Sequence, residues 1–232
     1  MAEEKSKPKS GGGCVMRLAL LILLVAGLAL GSAVFFILKP QDLSDVGGYG
    51  PAAPAPARDL KVVLKNSLDR GYAVTLTETE INQWLGRTLV AKQGGVLGSQ
   101  VSLERLWVRL LDGHAELIME RRIAGRPFTV SMFITIEQIQ GAKGVITNVH
   151  VHGGQYHKDL QRPLRGGRFG SLVVPQGYMI LIRHAYEKLI PLFAEEIRLG
   201  FEEMARIRIE KNRLVLNPRE PEGDLLGLPS TF

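Results

Sequence analysis

Two long apolar stretches dominate the chain, and their spacing differs in kind. From Leu18 to Leu38 there are 21 consecutive residues without a charge. As a helix rising 1.5 Å per residue they reach about 31 Å, the thickness of a bilayer's hydrocarbon core. From Pro175 onward, Ile182, Tyr186, Leu189, Phe193, Ile197, Phe201 and Met204 recur with the helical period. That second pattern predicts an amphipathic helix of about seven turns. Pro175 suits its first turn, and Pro191, lacking an N–H, predicts a kink or break within it.

Between these stretches the pattern shortens. Leu60, Val63, Leu64 and Leu68 form one stripe of a short helix over 59–70, and 73–76 alternates as a brief strand. Thr77 and Glu80 have capping-box spacing, and Ile81, Trp84, Leu85 and Leu89 continue a helix to about Ala91, where Gly94-Gly95 stops it. Four strands follow, over 101–111, 114–123, 128–139 and 144–151, separated by Asp112-Gly113, Gly125 and other turn residues. Ile207-Arg208-Ile209 and Leu214-Val215-Leu216 flank a Lys211-Asn212 turn and predict a closing hairpin. The expected fold is α+β: one N-terminal transmembrane helix, then an antiparallel curved sheet packed around a long C-terminal helix.

The order of segments gives an organisation. Residues 1–17 form a basic tail, 18–38 the span, 39–58 a Pro/Ala-rich linker, 59–217 one domain and 218–232 a Pro/Gly/acid-rich tail. A cleaved signal peptide has an apolar region of about 7–15 residues, shorter than this one, so an uncleaved signal-anchor is expected. Lys5, Lys7, Lys9 and Arg17 precede the span and only Lys39 closely follows it. The positive-inside rule then places the N-terminus in the cytosol and the domain outside it, at a plasma or inner membrane. Gly27 and Gly31 have a spacing that lets two helices approach closely, though glycine is common in such spans for other reasons. In the linker, the 19 residues 40–58 extended at about 3.1 Å each would be a stalk of up to roughly 60 Å, or a joint without defined reach.

Charge changes this picture less than its total suggests. The net charge is +6 and the mean hydropathy +0.06. Residues 1–39 hold five basic and two acidic side chains, and 59–232 hold 23 basic and 19 acidic. Half of the excess therefore orients the anchor, and no nucleic-acid partner is implied. The single Cys14 lies on the cytosolic side of the span and excludes an intramolecular disulfide.

Three constellations bear on chemistry. His150 and His152 share a strand face about 7 Å apart and His157 can approach as a third ligand. Solvated histidines on a polar strand face account for the same pattern. Lys158, Arg162, Arg165 and Arg168 cluster ahead of Pro175, where a basic loop suits anionic lipid headgroups or simply solubility. The inner stripe of the long helix, Ile182, Leu189, Phe193, Ile197 and Phe201, would line a lipid groove or fill a core. No nucleophile motif or phosphate-binding loop is present in its required context, so no enzyme and no cofactor is expected.

The block Leu76-Thr77-Glu78-Thr79-Glu80-Ile81-Asn82-Gln83-Trp84-Leu85 resembles the opening of YpmS/LmeA-like single-pass envelope proteins. Gly167-Arg168-Phe169-Gly170-Ser171-Leu172-Val173-Val174-Pro175 and the hairpin from Arg206 resemble later segments of that group. Ser171 and Val173 depart from its more regular Leu-Pro pattern, and the Pro/Ala stretch is not part of it. The resemblance implies a tubular-lipid-binding-like domain over about 60–217 that sequesters a lipid or other amphiphile, and it supplies no catalytic residues. On its own pattern the Asn82 helix is simply capped, with Asn82 and Gln83 on the wet side. The alternative function is an anchored scaffold subunit of an envelope protein complex.

Overall fold

Helix α1 (Gly12–Leu38) meets the rest of the chain at its C-terminal end. Its segment Val15–Leu38 has a mean hydropathy of 2.8 in its most apolar window, none of which is buried, and it is long and apolar enough to cross a membrane. The computed structural model describes residues 12–50, 58–93, 102–123, 125–141, 144–151 and 165–219. Lys158, Arg162, His152 and His157 lie outside the described residues.

The domain begins with α2 (Leu60–Arg70), whose first turn is capped by Asp59 Oδ1 accepting the Lys61 N–H at 3.0 Å. Strand β1 (Val74–Thr77) leads straight into α3 (Glu78–Gln93). The capping box forms: Glu80 N–H donates to Thr77 Oγ1, and Thr77 N–H to Glu80 Oε2. Ile81, Trp84, Leu85 and Leu89 are buried, as their spacing predicts.

Six antiparallel strands make the main sheet. They are β2 (Ser102–Leu111), β3 (His114–Ile123), β4 (Arg126–Gly141), β5 (Gly144–Val151), β6 (Arg165–Phe169) and β7 (Leu172–Pro175). The order is β2-β3-β4-β6-β7, with β5 paired to the far half of β4. Register sorts the two faces. Val108 pairs with Leu117 and Leu117 with Met132, so Leu106, Val108, Leu110, Met119, Val130 and Ile134 share an inner face with the core. Trp107, Arg109, Glu116, Ile118, Ser131 and Arg168 alternate onto the outer face. A second sheet, β1-β9-β8, closes the domain with β8 (Arg206–Glu210) and β9 (Arg213–Asn217).

The chain departs from its pattern in two places. Strands β6 and β7 occupy a stretch whose Gly166-Gly167 pair gives no strand periodicity. The glycine is required there, because a Cβ on Gly167 would stand 1.9 Å from the Ser131 carbonyl oxygen. The expected long C-terminal helix is not formed. In its place are a 3-10 turn at Gln176–Met179, α4 (Ile180–Glu187), a 3-10 turn at Ile190–Phe193, one α-turn at Ala194–Ile197 and a π-turn at Arg198–Glu202. Pro191 explains the main break: it removes a donor and its ring excludes the carbonyl four residues back, that of Glu187, where α4 ends.

Candidate functional site

Left bare, the outer face of the main sheet would show Trp107 and Ile118 to water beside two charged side chains. It is covered instead by residues 39–50, the chain leaving α1. Leu43 and Val46 are each 3% exposed and form a separate small core with Trp107 and Ile118. The Tyr49 ring meets Trp107 edge to face at 5.3 Å. Burying side chains of this size contributes about 1.5–3 kcal/mol each. The first half of the expected 39–58 spacer is thus a strap bound to the domain.

Beneath the strap lies a buried ionic cluster. Glu116 is fully buried; its Oε1 accepts from Gln41 Nε2 at 2.9 Å and Ser131 Oγ at 2.5 Å, and its Oε2 from Arg109 at 2.7 Å. The same Arg109 reaches out to the strap, donating to the Asp42 carbonyl at 2.9 Å and to Asp45 Oδ1 at 2.7 Å. Gln41 N–H donates to Thr129 Oγ1. Burial, and next the nearby Glu116 charge, hold the Tyr186 hydroxyl well above its ordinary pKa. That hydroxyl donates to the Leu117 carbonyl at 2.8 Å from the opposite side of the sheet.

A second set of bonds ties the strap to α3. Glu78 is 2% exposed and accepts from the N–H groups of Gly47 and Leu110. One turn later, Asn82 donates to the carbonyls of Gly47 and Val108, each at 2.8 Å, and accepts the Val108 N–H at 2.7 Å. Asn82 is 1% exposed, not on the wet side of its helix as its pattern suggests. The pair closes the free edge of β2 and clasps both polar groups of Gly47 at once.

The third contact joins the end of α1 to the β6–β7 turn. Ser171 N–H donates to the carbonyls of Phe36 and Lys39, at 3.0 and 2.9 Å, and Ser171 Oγ donates to Phe36. Those carbonyls have no partner within their own helix, so the turn serves as its C-terminal cap. Gly170, at φ 56°, admits this approach: a Cβ there would lie 2.2 Å from the Ile37 carbonyl oxygen.

The other sequence-selected residues are dispersed. Leu189 and Phe193 are buried in the main core, with Ile182, Ile197 and Phe201 packed against it in part. Arg168 lies in the ionic cluster, its Nε 3.4 Å from Glu116 Oε1 and its guanidinium over the Phe133 ring at 5.7 Å. Arg165 is on β6. His150 is exposed on β5 and pairs with Glu137 at 2.8 Å. Among the described residues no group of three His, Cys, Asp or Glu side chains is placed to hold a metal ion.

Glu78, Asn82, Arg109 and Glu116 escape a sequence reading because polar residues in a half-buried strand or helix normally face water. For Glu78 and Asn82 a signal was available: they stand one helical turn apart within the block that resembles YpmS/LmeA-like proteins, beside an apolar stripe. No protein-family model and no curated protein matches this chain.

Proposed function

We propose that this protein is a single-pass anchored scaffold of the cell envelope, with a cytosolic N-terminus and an extracytoplasmic domain that is held on the bilayer surface and presents a fixed face to a membrane-associated partner. The observation that carries this reading is the threefold attachment of the domain to the chain leaving α1. A tether meant only to keep a domain nearby needs no such attachment, whereas a scaffold needs a defined height and angle. Among the described residues Glu116, the buried carboxylate of the ionic cluster, is engaged on both oxygens by neighbouring side chains, as a structural group would be.

Binding of a lipid or other amphiphile by the domain, which the likeness to YpmS/LmeA-like proteins implies, is the second reading. What favours it is the segmented build of 176–202, where five short helical pieces carry Ile182, Phe193, Ile197 and Phe201 and a turn between two of them carries Leu189. Such a segment opens more readily than a continuous helix. Against it stands the burial of Leu189 and Phe193 in the core.

Native mass spectrometry of the full-length chain released from its own membranes separates the two. A partner polypeptide retained by the native protein and lost from an Asn82→Ala variant supports the scaffold. One phospholipid per chain, retained through detergent exchange, supports amphiphile binding and overturns it.

A further inference from the structure

The attachment of α1 fixes which end of the sheet faces the membrane. Ser171 and Gly170 sit on the last carbonyls of α1, and Gly170 N–H donates to the Thr129 carbonyl at 2.8 Å. Strand β6 runs antiparallel to β4, so the end of the sheet holding the β6–β7 turn also holds the start of β4, the end of β3 and the start of β2. The apolar window of α1 is wholly unburied, so the domain does not run down beside the span. This end of the sheet therefore looks toward the surface from which α1 emerges.

It is rich in cations. Arg126 lies three residues from Thr129, about 10 Å along the strand and away from the body of the sheet. Arg122 and Arg121 pair with Pro127 and Phe128 across the same hairpin, and Arg105 is opposite Glu120 on the neighbouring strand. Arg105, Arg122, Arg126 and Lys39 are exposed, whereas Arg121 is half-buried and turns back to donate to Met119 Sδ on the core side. The acids at this end are already engaged: Glu104 pairs with Arg122, Glu120 accepts from the Trp107 ring N–H, and Asp42 accepts from Ser44.

We propose that this rim, Lys39, Arg105, Arg122 and Arg126, binds the phosphates of anionic phospholipids in the leaflet where α1 ends. Arginine forks suit phosphate oxygens, and a fixed tether at the same end holds the rim within reach of the headgroups. The inference rests on α1 as a bilayer anchor and is independent of whether a protein partner or an amphiphile occupies the rest of the domain.

The test uses the full-length chain in nanodiscs of phosphatidylcholine alone or with about 30% phosphatidylglycerol, and reads amide hydrogen exchange over residues 119–128. Exchange is expected to slow about fivefold or more with phosphatidylglycerol, and the effect to shrink at about 0.5 M salt. Arg105→Gln/Arg122→Gln/Arg126→Gln abolishes the difference, and the matching Lys variant, which keeps the charge, restores it. Equal exchange in both discs, or a difference that survives in the Gln variant, overturns the proposal. Incorporation into discs reports the anchor separately. Protection found only in native membranes also overturns the lipid assignment, in favour of an acidic protein.

Discussion

Asn82 and Val108 form a closed pair: the side-chain amide takes both the N–H and the carbonyl of one β2 residue, as a neighbouring strand would. The same amide nitrogen also holds Gly47. One side chain thus ends a sheet and fastens the strap that leaves α1.

Asn82→Ala leaves the Val108 N–H and two carbonyls without that partner in a buried setting. A loss of about 2–4 kcal/mol is expected in denaturant unfolding of the full-length chain in detergent. Asn82→Asp, which keeps the acceptor but adds a charge beside two carbonyls, is expected to be no better than Ala. A variant as stable as the native chain would show that the amide is not needed.

Glu116→Ala removes the buried partner of Arg109 and of Gln41, leaving Arg109 only its strap contacts, for an expected cost of about 3–5 kcal/mol. Because Arg109 is also the link to Asp42 and Asp45, the strap should loosen before the core does. Limited proteolysis checks this: new cuts within 41–49 should appear under conditions where 102–123 remains intact.

Gly170→Ala places a Cβ where the Ile37 carbonyl now lies. Backbone cannot yield cheaply there, so the α1 end and the β6–β7 turn must part. Hydrogen exchange should accelerate at Ser171 while the Leu43–Trp107 contact persists. Unchanged protection at Ser171 would mean that the turn is not a cap.

The capping box gives a pH dependence with a definite sign. Burial acts to raise the Glu80 carboxyl, but the Thr77 N–H, the Arg58 guanidinium and the Thr77 hydroxyl outweigh it and hold the pKa below its ordinary value. A carboxyl depressed in the folded state stabilises fully above its unfolded pKa of about 4.3, and the contribution fades as pH falls through the lower folded value. Thermal unfolding of the native chain should therefore drop more steeply below about pH 4.3 than that of Glu80→Gln.

These residues also mark how far the sequence could be read. Elements with their own periodicity and punctuation, such as α3 behind Thr77 and β2–β3 around Asp112-Gly113, are legible because local rules decide them. The broken helix was half legible: Pro191 announces an interruption, but not that the chain from Ile190 on breaks into single 3-10, α and π turns. The strap was not legible. Leu43, Val46 and Tyr49 sit in a Gly/Pro-rich stretch without a period, and their partner Trp107 is some sixty residues away. Glu116 and Arg109 fall on strand positions that alternation assigns to water, and only the covering strap reverses that assignment.

The strap belongs to the domain by contact and to the anchor by covalent continuity, so the two kinds of attachment can be separated. A single cut among residues 51–57 would sever the backbone between anchor and domain yet leave Leu43, Val46, Gln41 and Asp45 in their seats. The product would be a two-chain complex, not a released domain. Release from the membrane would need a cut ahead of Lys39, and a domain made without residues 39–50 would lack part of its own sheet covering. The anchor segment acts as a folding subunit as well as a tether.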